Sequence, residues 1–417
     1  MTVEYEQAMT IDRREFLRHL LSAAGLATSP LDRLAFGEWR IAAAQQPRRI
    51  IVVGAGLGGL VAAHELTKAG NDVVVLDTQL HAGGRVYTLR DPFVDDLYAE
   101  AGAARIPEDH DLTRGYAAEF GLKLVPFQPD QQNINSTQDL EREAGGAMGN
   151  AFWSDETMVE LLKNSGGESA PRRYDKIDGG NDRLPAAFAS RLEDRIHFGA
   201  RVVRIEQDKQ GVRAVVQRGS GHEVVSADFL ICAIPFTVLR GIDVSPAFSS
   251  AKRKVIEQLN YAAASRIYLQ SATRYWMKSG KSGFERTLDM EVIDATFGQP
   301  GDRGIMMLYA LGDPARRLEH QTPDQRIQYG RTEAERILPG MAANFEKGFS
   351  WCWGEVPWAR GAFAVYLPGQ VAAFYAAGTQ SEGRIHFAGE HLSSWPGWMQ
   401  GALASGLRAA REVSGRA

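Results

Sequence analysis

Cysteine is nearly absent from this chain: Cys232 and Cys352 are the two in 417 residues. Each sits among apolar or aromatic neighbours, which reads as two buried free thiols rather than a disulfide framework or a metal site. No uncharged apolar run reaches about 18 residues, which excludes a membrane-spanning helix. No basic run with interleaved aromatics occurs. The 47 Lys and Arg against 51 Asp and Glu leave a net charge of −4, so nothing points to nucleic acid. Internal repeats and low-complexity tracts are missing too. What is left, 44% hydrophobic and 24% charged residues, is the composition of a soluble globular protein. Its length allows two or three domains.

Glycine, by contrast, is placed with purpose. Residues 50–59 read Ile-Ile-Val-Val-Gly-Ala-Gly-Leu-Gly-Gly, an apolar strand running into a glycine-rich turn. Gly54, Gly56 and Gly59 stand at G-x-G-x-x-G spacing, and 18 residues past Gly59 a second strand, 72–76, ends at Asp77. Gly54 permits the tight turn, Gly56 lets the backbone approach a pyrophosphate, and Gly59 lets the next helix pack close on the strand. The helix N-terminus offers unpaired N–H groups and the positive end of its dipole. Asp77 is placed to accept hydrogen bonds from a ribose diol. The alternative is a glycine turn with no ligand, and the order strand, turn, helix, acid weighs against it. These residues do not separate NAD from FAD.

Further along, His81-Ala82-Gly83-Gly84-Arg85 forms a turn with a cation just past the acid. Residues 100–111 are a polar run, and an amphipathic stretch then ends at Gly121. Residues 129–150, rich in Gln, Asn, Gly and Glu, read as a surface loop or short exposed helix. Asp178-Gly179-Gly180-Asn181-Asp182 is a turn before a helix starting near Leu184. Alternation over 201–206 and 212–217 predicts a half-buried hairpin. The apolar run 229–234, stopped by Pro235, predicts a buried central strand. β-rich runs follow at 265–269, 288–293 and 304–311. The C-terminal section holds residues 384–390, the loop Trp395-Pro396-Gly397-Trp398, and a small-residue helix over 399–413.

This order predicts a mixed α/β (α+β) fold with a discontinuous Rossmann-like dinucleotide domain and a second, β-rich domain. The strands near Phe229 and at 385–388 return to the first sheet. The first domain takes residues 45–105, 195–245 and 380–417; the second takes 106–194 and 246–379 with a short helical insert. Residues 1–44 stand apart. Asp12-Arg13-Arg14-Glu15-Phe16-Leu17 resembles a twin-arginine export signal, and residues 42–44, all Ala, offer a cleavage site. A functional signal implies a periplasmic or secreted protein. Otherwise the segment is an attached N-terminal helix and the protein is cytoplasmic.

Four segments resemble the flavin-dependent amine oxidases, and among them the L-amino acid oxidases. They are residues 51–59 with Asp77 and Gly83-Gly84-Arg85; Gly102-Ala103-Ala104-Arg105-Ile106-Pro107; residues 178–205; and Ala388-Gly389-Glu390 through Arg411. The resemblance implies FAD. Gly54, Gly56, Leu57, Gly58 and Gly59 would hold the pyrophosphate. Asp77, where relatives more often have Glu, would bind the adenosine ribose, with Thr78 beside it. Gly84 and Arg85 would lie near the phosphates, and Val203 would contact the adenine through its backbone. Gly102, Ala103, Ala104 and Arg105 would line the cofactor, with Gly389 alongside. Glu390 would bind the ribityl or phosphate end, and Trp398, Met399 and Gln400 would meet the flavin ring. Covalent relatives carry Cys between Gly and an aromatic residue. The matching run here is Gly361-Ala362-Phe363, so the flavin should be noncovalent.

The resemblance also places Arg105 and Tyr309 as ligands of a substrate α-carboxylate. A guanidinium gives a carboxylate two parallel N–H bonds at any working pH. The alternatives are a surface Arg105 paired with Glu100 or Glu108, and Tyr309 as a core tyrosine. Gly397 and Trp398, with Trp395, would wall the pocket, or the indoles fill core; as walls they favour apolar or aromatic substrates. The implied reaction passes a hydride from Cα to flavin N5, and water and dioxygen complete a 2-oxo acid, ammonia and hydrogen peroxide. Arg266 departs from the pattern, because relatives place a water-holding lysine there. That leaves oxidase and dehydrogenase both open. Relatives are often dimers, which leaves a homodimer open. The rivals are an oxidase of a carboxylate-free amine and a flavin-binding partner without turnover.

Overall fold

This computed structural model describes residues 46–128 and 173–415, together with Ile41 and apart from Ser279, Leu288 and Pro368. The twin-arginine segment, the alanine run at 42–44 and the polar stretch 129–150 lie outside these residues. In chain order, the elements that build the site are β1 (Arg49–Val53), α1 (Leu57–Lys68), β2 (Asp72–Leu76), β3 (Ile196–His197), β4 (Phe229–Cys232), β5 (Ala264–Ser271), β6 (Glu285–Arg286), β7 (Glu291–Asp294), β8 (Gly304–Leu311), β9 (Phe345–Cys352), β10 (Ile385–Phe387) and α2 (Met399–Gly415).

The first sheet is parallel, in the order β10-β4-β1-β2-β3. Strands from distant parts of the sequence therefore share one sheet, as the apolar runs near 229 and 385 predict. β1 is central and covered on both faces, which is why its run is continuously apolar. Ile50 and Val52 pack with Leu60, Leu403 and Leu407. Ile51 and Val53 face the other way, toward Val212, Leu230 and Phe387. Each such side chain contributes about 1.5–3 kcal/mol of burial. The predicted hairpin forms as Arg201–Gln207 and Val212–Arg218. Ligands bind such sheets at the carboxyl ends of the strands, where the order reverses; here that is the turn after β1.

The second sheet is antiparallel, in the order β6-β7-β8-β5-β9. Its register aligns one row of side chains, Glu291, Tyr309, Arg266 and Trp351, across four strands. Two residues along, Ile293, Met307, Tyr268 and Phe349 form the next row. Strand side chains alternate with period two, so both rows share a face. The opposite face, with Val292, Leu308 and Ile267, packs against Ala334 of the helix Pro323–Ile337. The predicted β run at 288–293 begins later than expected, at Glu291. Residues 100–111 are not a solvated polar run. Glu100, Ile106 and His110 are buried, because this segment passes between the two sheets. Among the described residues no helix is long and apolar enough to cross a membrane. None of their His, Cys, Asp and Glu groups could hold a metal ion.

α2 packs on α1 through Gly406, which sits against Gly58 and Val61. A Cβ on Gly406 would lie 2.2 Å from the Gly58 carbonyl oxygen and 2.5 Å from a Val61 methyl. Alanine gains about 1 kcal/mol over glycine in helix propensity. Overpacking against backbone loses about 1–3 kcal/mol, and backbone cannot step aside. Gly406→Ala is therefore expected to lower unfolding stability by chemical denaturation. A variant as stable as the parent contradicts this contact.

Candidate functional site

A cavity of about 850 Å³ runs from the β1–α1 turn to the second sheet. At its first end Gly54 adopts φ +106 and its N–H donates to Leu76 O at 2.8 Å, closing the turn. A Cβ on Gly59 would stand 1.9 Å from Gly54 O, so only glycine lets α1 start this close. A Cβ on Gly56 would meet nothing within 4 Å. Its backbone faces the open cavity, beside the start of α1 at Leu57, Gly58 and Gly59. Asp77, Thr78, Gly84 and Val203 line the same end.

Asp77 departs from the expectation of a free diol acceptor. Its carboxylate accepts the Ala55 N–H at 2.5 Å and the Gln79 N–H at 2.7 Å, tying β2 back to the glycine turn. Burial raises its pKa from the usual aspartate value, against those two donors. Each oxygen keeps a second lone pair, and that is what a ribose would meet.

Midway along the cavity, Glu390 joins three segments. It accepts from Arg85 Nη1 at 2.8 Å, from the Ala364 N–H at 3.2 Å, and from the Gly397 N–H at 2.7 Å. Arg85 also donates to Ala362 O at 3.0 Å. Glu390 is thus a hub of the wall before it touches any ligand. Gly389 (φ +134) donates its N–H to Ser405 of α2 at 2.8 Å, and Met399 and Gln400 begin α2. Met399 lines the cavity, whereas the Gln400 side chain turns to Thr113 and Asp111. Ala362, the position matching a covalent link, carries no sulfur.

Gly102, Ala103, Ala104 and Arg105 line the cavity. Arg266 Nη1 donates to Glu100 O at 2.6 Å and Gly102 O at 2.7 Å. Tyr268 donates to Glu100 O at 2.7 Å, Trp353 to Ala101 O at 2.8 Å, and Asn181 to Ala103 O at 2.9 Å. A Cβ on Gly102 would stand 1.8 Å from Arg85 O, so the segment lies flat on the Arg85 turn. Arg266 is buried, its guanidinium lies 4.5 Å from the Tyr309 ring, and its Nε has no hydrogen-bond partner among the described residues. Where the resemblance implies a lysine, Arg266 stands and fastens backbone.

At the far end, Arg105 pairs with neither Glu100 nor Glu108. Its guanidinium bonds Glu291 at 2.5 Å and lies over the rings of Phe127 and Tyr174, at 5.1 and 5.9 Å. Arg286 binds the other oxygen of Glu291. Burial opposes ionisation of Glu291, but the two guanidiniums outweigh it and hold the carboxyl at about 2. Tyr309 stands directly opposite Glu291 across the strands. Burial raises the pKa of its hydroxyl, which stays protonated and able to donate. Trp395, Gly397 and Trp398 line the cavity, and His110 meets both indoles edge-on at 5.2 and 5.0 Å. Sequence reasoning missed Glu291, Arg286, His110, Phe127 and Tyr174. An acid two residues before Ile293 in an apolar strand was the available signal for Glu291.

The elongated cavity fits a dinucleotide: a side-chain-free cradle at one end, a cation midway, and aromatic walls at the other. Comparison with known proteins agrees. The model of the flavin containing amine oxidoreductases matches residues 57–143 and 136–414. A Bacillus subtilis (strain 168) protein named "Putative L-amino-acid oxidase YobN" is 30% identical, over 90% of this chain and 96% of its own. The Bothrops moojeni L-amino-acid oxidase BmooLAAO-I is 25% identical over 88% of this chain and 89% of its own. The solved structure of cyclohexylamine oxidase from Brevibacterium oxydans IH-35A superposes with a TM-score of 0.74 at 19% identity, covering 89% of this chain and 99% of that one.

Glu100 gives the site a pH signature. Burial pushes its carboxyl from the usual 4.5 to about 7, against donors from Asn181 and Thr88. Folding thus favours the protonated form. That stability is fully present below about 4.5 and is lost as pH rises through about 7. Glu100→Gln should therefore gain Tm relative to the parent progressively across this window and level off above it. A Tm difference that does not change with pH contradicts the assignment.

Proposed function

Within the flavin-containing amine oxidoreductases, the family to which this chain belongs, we propose an L-amino acid oxidase that holds FAD noncovalently and prefers apolar or aromatic substrates. The observation that carries this reading is Arg105 on the cavity wall, one side chain away from Tyr309. A simple amine has no use for a permanent cation beside a protonated phenol, whereas an α-carboxylate takes both. Phe127 and Tyr174 lie beside Arg105, Trp395 and Trp398 line the same cavity, and these rings support an apolar side chain.

FAD would lie with its pyrophosphate on Gly54 through Gly59, its adenosine toward Asp77, Thr78 and Val203, and its ring toward Gly102, Trp398, Met399 and Gln400. Ala362 supports noncovalent attachment, since an alanine cannot form a thioether. When bound, FAD supplies the two-electron acceptor for the Cα–N bond and hands the electrons to dioxygen. The net change consumes amino acid, water and dioxygen and yields 2-oxo acid, ammonia and hydrogen peroxide. The protein's part is orientation and electrostatics. Arg105 and Tyr309 grip the carboxylate, and the aromatic walls exclude water. Glu291, held ionised by two arginines, takes no proton at neutral pH. The substrate must arrive as the free amine, so the acid limb of kcat/KM should move with the pKa of the substrate chosen.

One observation favours a second reading. Arg105 already has a carboxylate partner in Glu291, as a site for a carboxylate-free amine would allow. The test is purified yellow protein assayed for peroxide with the twenty L-amino acids and with cyclohexylamine. An apolar or aromatic L-amino acid should be the best substrate. Arg105→Ala should then raise its KM by roughly 10- to 100-fold, the loss of a charge-assisted pair. Turnover of cyclohexylamine alone, or a KM indifferent to Arg105, contradicts the proposal.

A further inference from the structure

We propose that Arg266 is a positioning residue for the carboxylate clamp, a strut that fixes Arg105 and Tyr309 relative to each other. The inference rests on the reading that the substrate is an amino acid, and it names a residue that sets specificity for one. The two clamp residues come from separate parts of the chain. Tyr309 lies on β8, whereas Arg105 ends the segment that begins at Glu100. Arg266 touches the supports of both. In the β5–β8 register it stands directly opposite Tyr309, and its guanidinium lies 4.5 Å from that ring. That is within reach of a cation–π contact. Its Nη1 also donates to Glu100 O at 2.6 Å and to Gly102 O at 2.7 Å, and Gly102 is three residues before Arg105.

Both hydrogens of Nη1 are spent on these carbonyls, and hydrogen bonds from a charged donor are the short, strong ones. Gly102 also lies against the Arg85 turn, where a Cβ would stand 1.8 Å from Arg85 O. The backbone leading to Arg105 is therefore held by Arg266 and has no room to move toward Arg85. Asn181 adds a bond to Ala103 O at 2.9 Å, so the hold continues to within two residues of Arg105. Lysine cannot take over this task. Its ammonium ends one bond short of Nη1, and it is a point charge where the guanidinium is a plane that stacks on rings. With lysine, the segment and the phenol lose their shared support. A misplacement of about 1 Å in a group that holds substrate can cost on the order of 100-fold in rate.

The experiment compares flavin reduction in the holoprotein by L-phenylalanine and by phenethylamine, which lacks the carboxylate, and titrates the flavin absorbance with benzoate, a carboxylate that cannot be oxidised. Two variants are used: Arg266→Lys, which keeps a charge, and Arg266→Met, which keeps the packing. Either should lower the ratio of the two reduction rates by roughly 10- to 100-fold and weaken benzoate in the same direction. A merely structural role would slow both substrates together and leave their ratio unchanged. The second arm joins Arg266→Lys to Arg105→Ala. If Arg266 acts through Arg105, the combined loss in the ratio should fall well short of the product of the two single losses. An unchanged ratio, unchanged benzoate binding or fully independent effects overturn the inference and leave the amino acid reading intact. Failure of both Arg266 variants to hold flavin overturns it too, because the residue would then serve the whole fold. A parent protein with no preference for L-phenylalanine overturns the amino acid reading and this inference with it.

Discussion

Four consecutive backbone carbonyls, those of Glu100, Ala101, Gly102 and Ala103, accept hydrogen bonds from side chains elsewhere in the chain: Arg266, Tyr268, Trp353 and Asn181. Buried backbone oxygens need partners, and an extended segment between two sheets has none of its own. Three of the four donors belong to the second sheet or the turn after it, and Asn181 comes from the glycine-rich turn at 178–182. The segment therefore stays where the second sheet puts it, pressed on the Arg85 turn of the first. Arg105 leaves this fixed rail toward the cavity. Its position relative to Tyr309 follows from the sheet register, and its position relative to the glycine turn follows from Gly102.

Once the rail is fixed, the cavity has two electrostatic regions with different jobs. Midway, Glu390 neutralises Arg85 and gathers the Ala364 and Gly397 N–H groups, so it stiffens the wall around the cofactor space. At the far end, one buried acid is bonded by two arginines. The first is a balanced structural joint. The second joins Arg105 and Arg286 to one acid on the wall that carries Tyr309.

Much of the fold was legible because its signals are local. The glycine spacing after β1, the apolar runs of β4 and β10, and the small-residue helix α2 each follow from a few neighbouring residues. Arg105 was singled out from its motif. Its partner was not, because Glu291 lies 186 residues away and meets it only through sheet register. Arg266 was read as a replaced lysine, yet what its guanidinium holds is backbone, which no side-chain pattern announces. Asp77 was read as a ribose ligand, and its shorter side chain bonds the glycine turn itself. Residues 100–111 looked solvated by composition, since pattern counts charges and cannot see a segment passing between two sheets.

The central claim is that the far corner reads a carboxylate. The most direct measurement is anaerobic flavin reduction by L-phenylalanine and by phenethylamine, which differ only in that group. Without oxygen the comparison is independent of what later reoxidises the cofactor. The account predicts reduction per unit substrate concentration at least roughly 100-fold faster with the amino acid, about the worth of a charge-assisted carboxylate pair. Equal rates, or faster reduction by the amine, would contradict it.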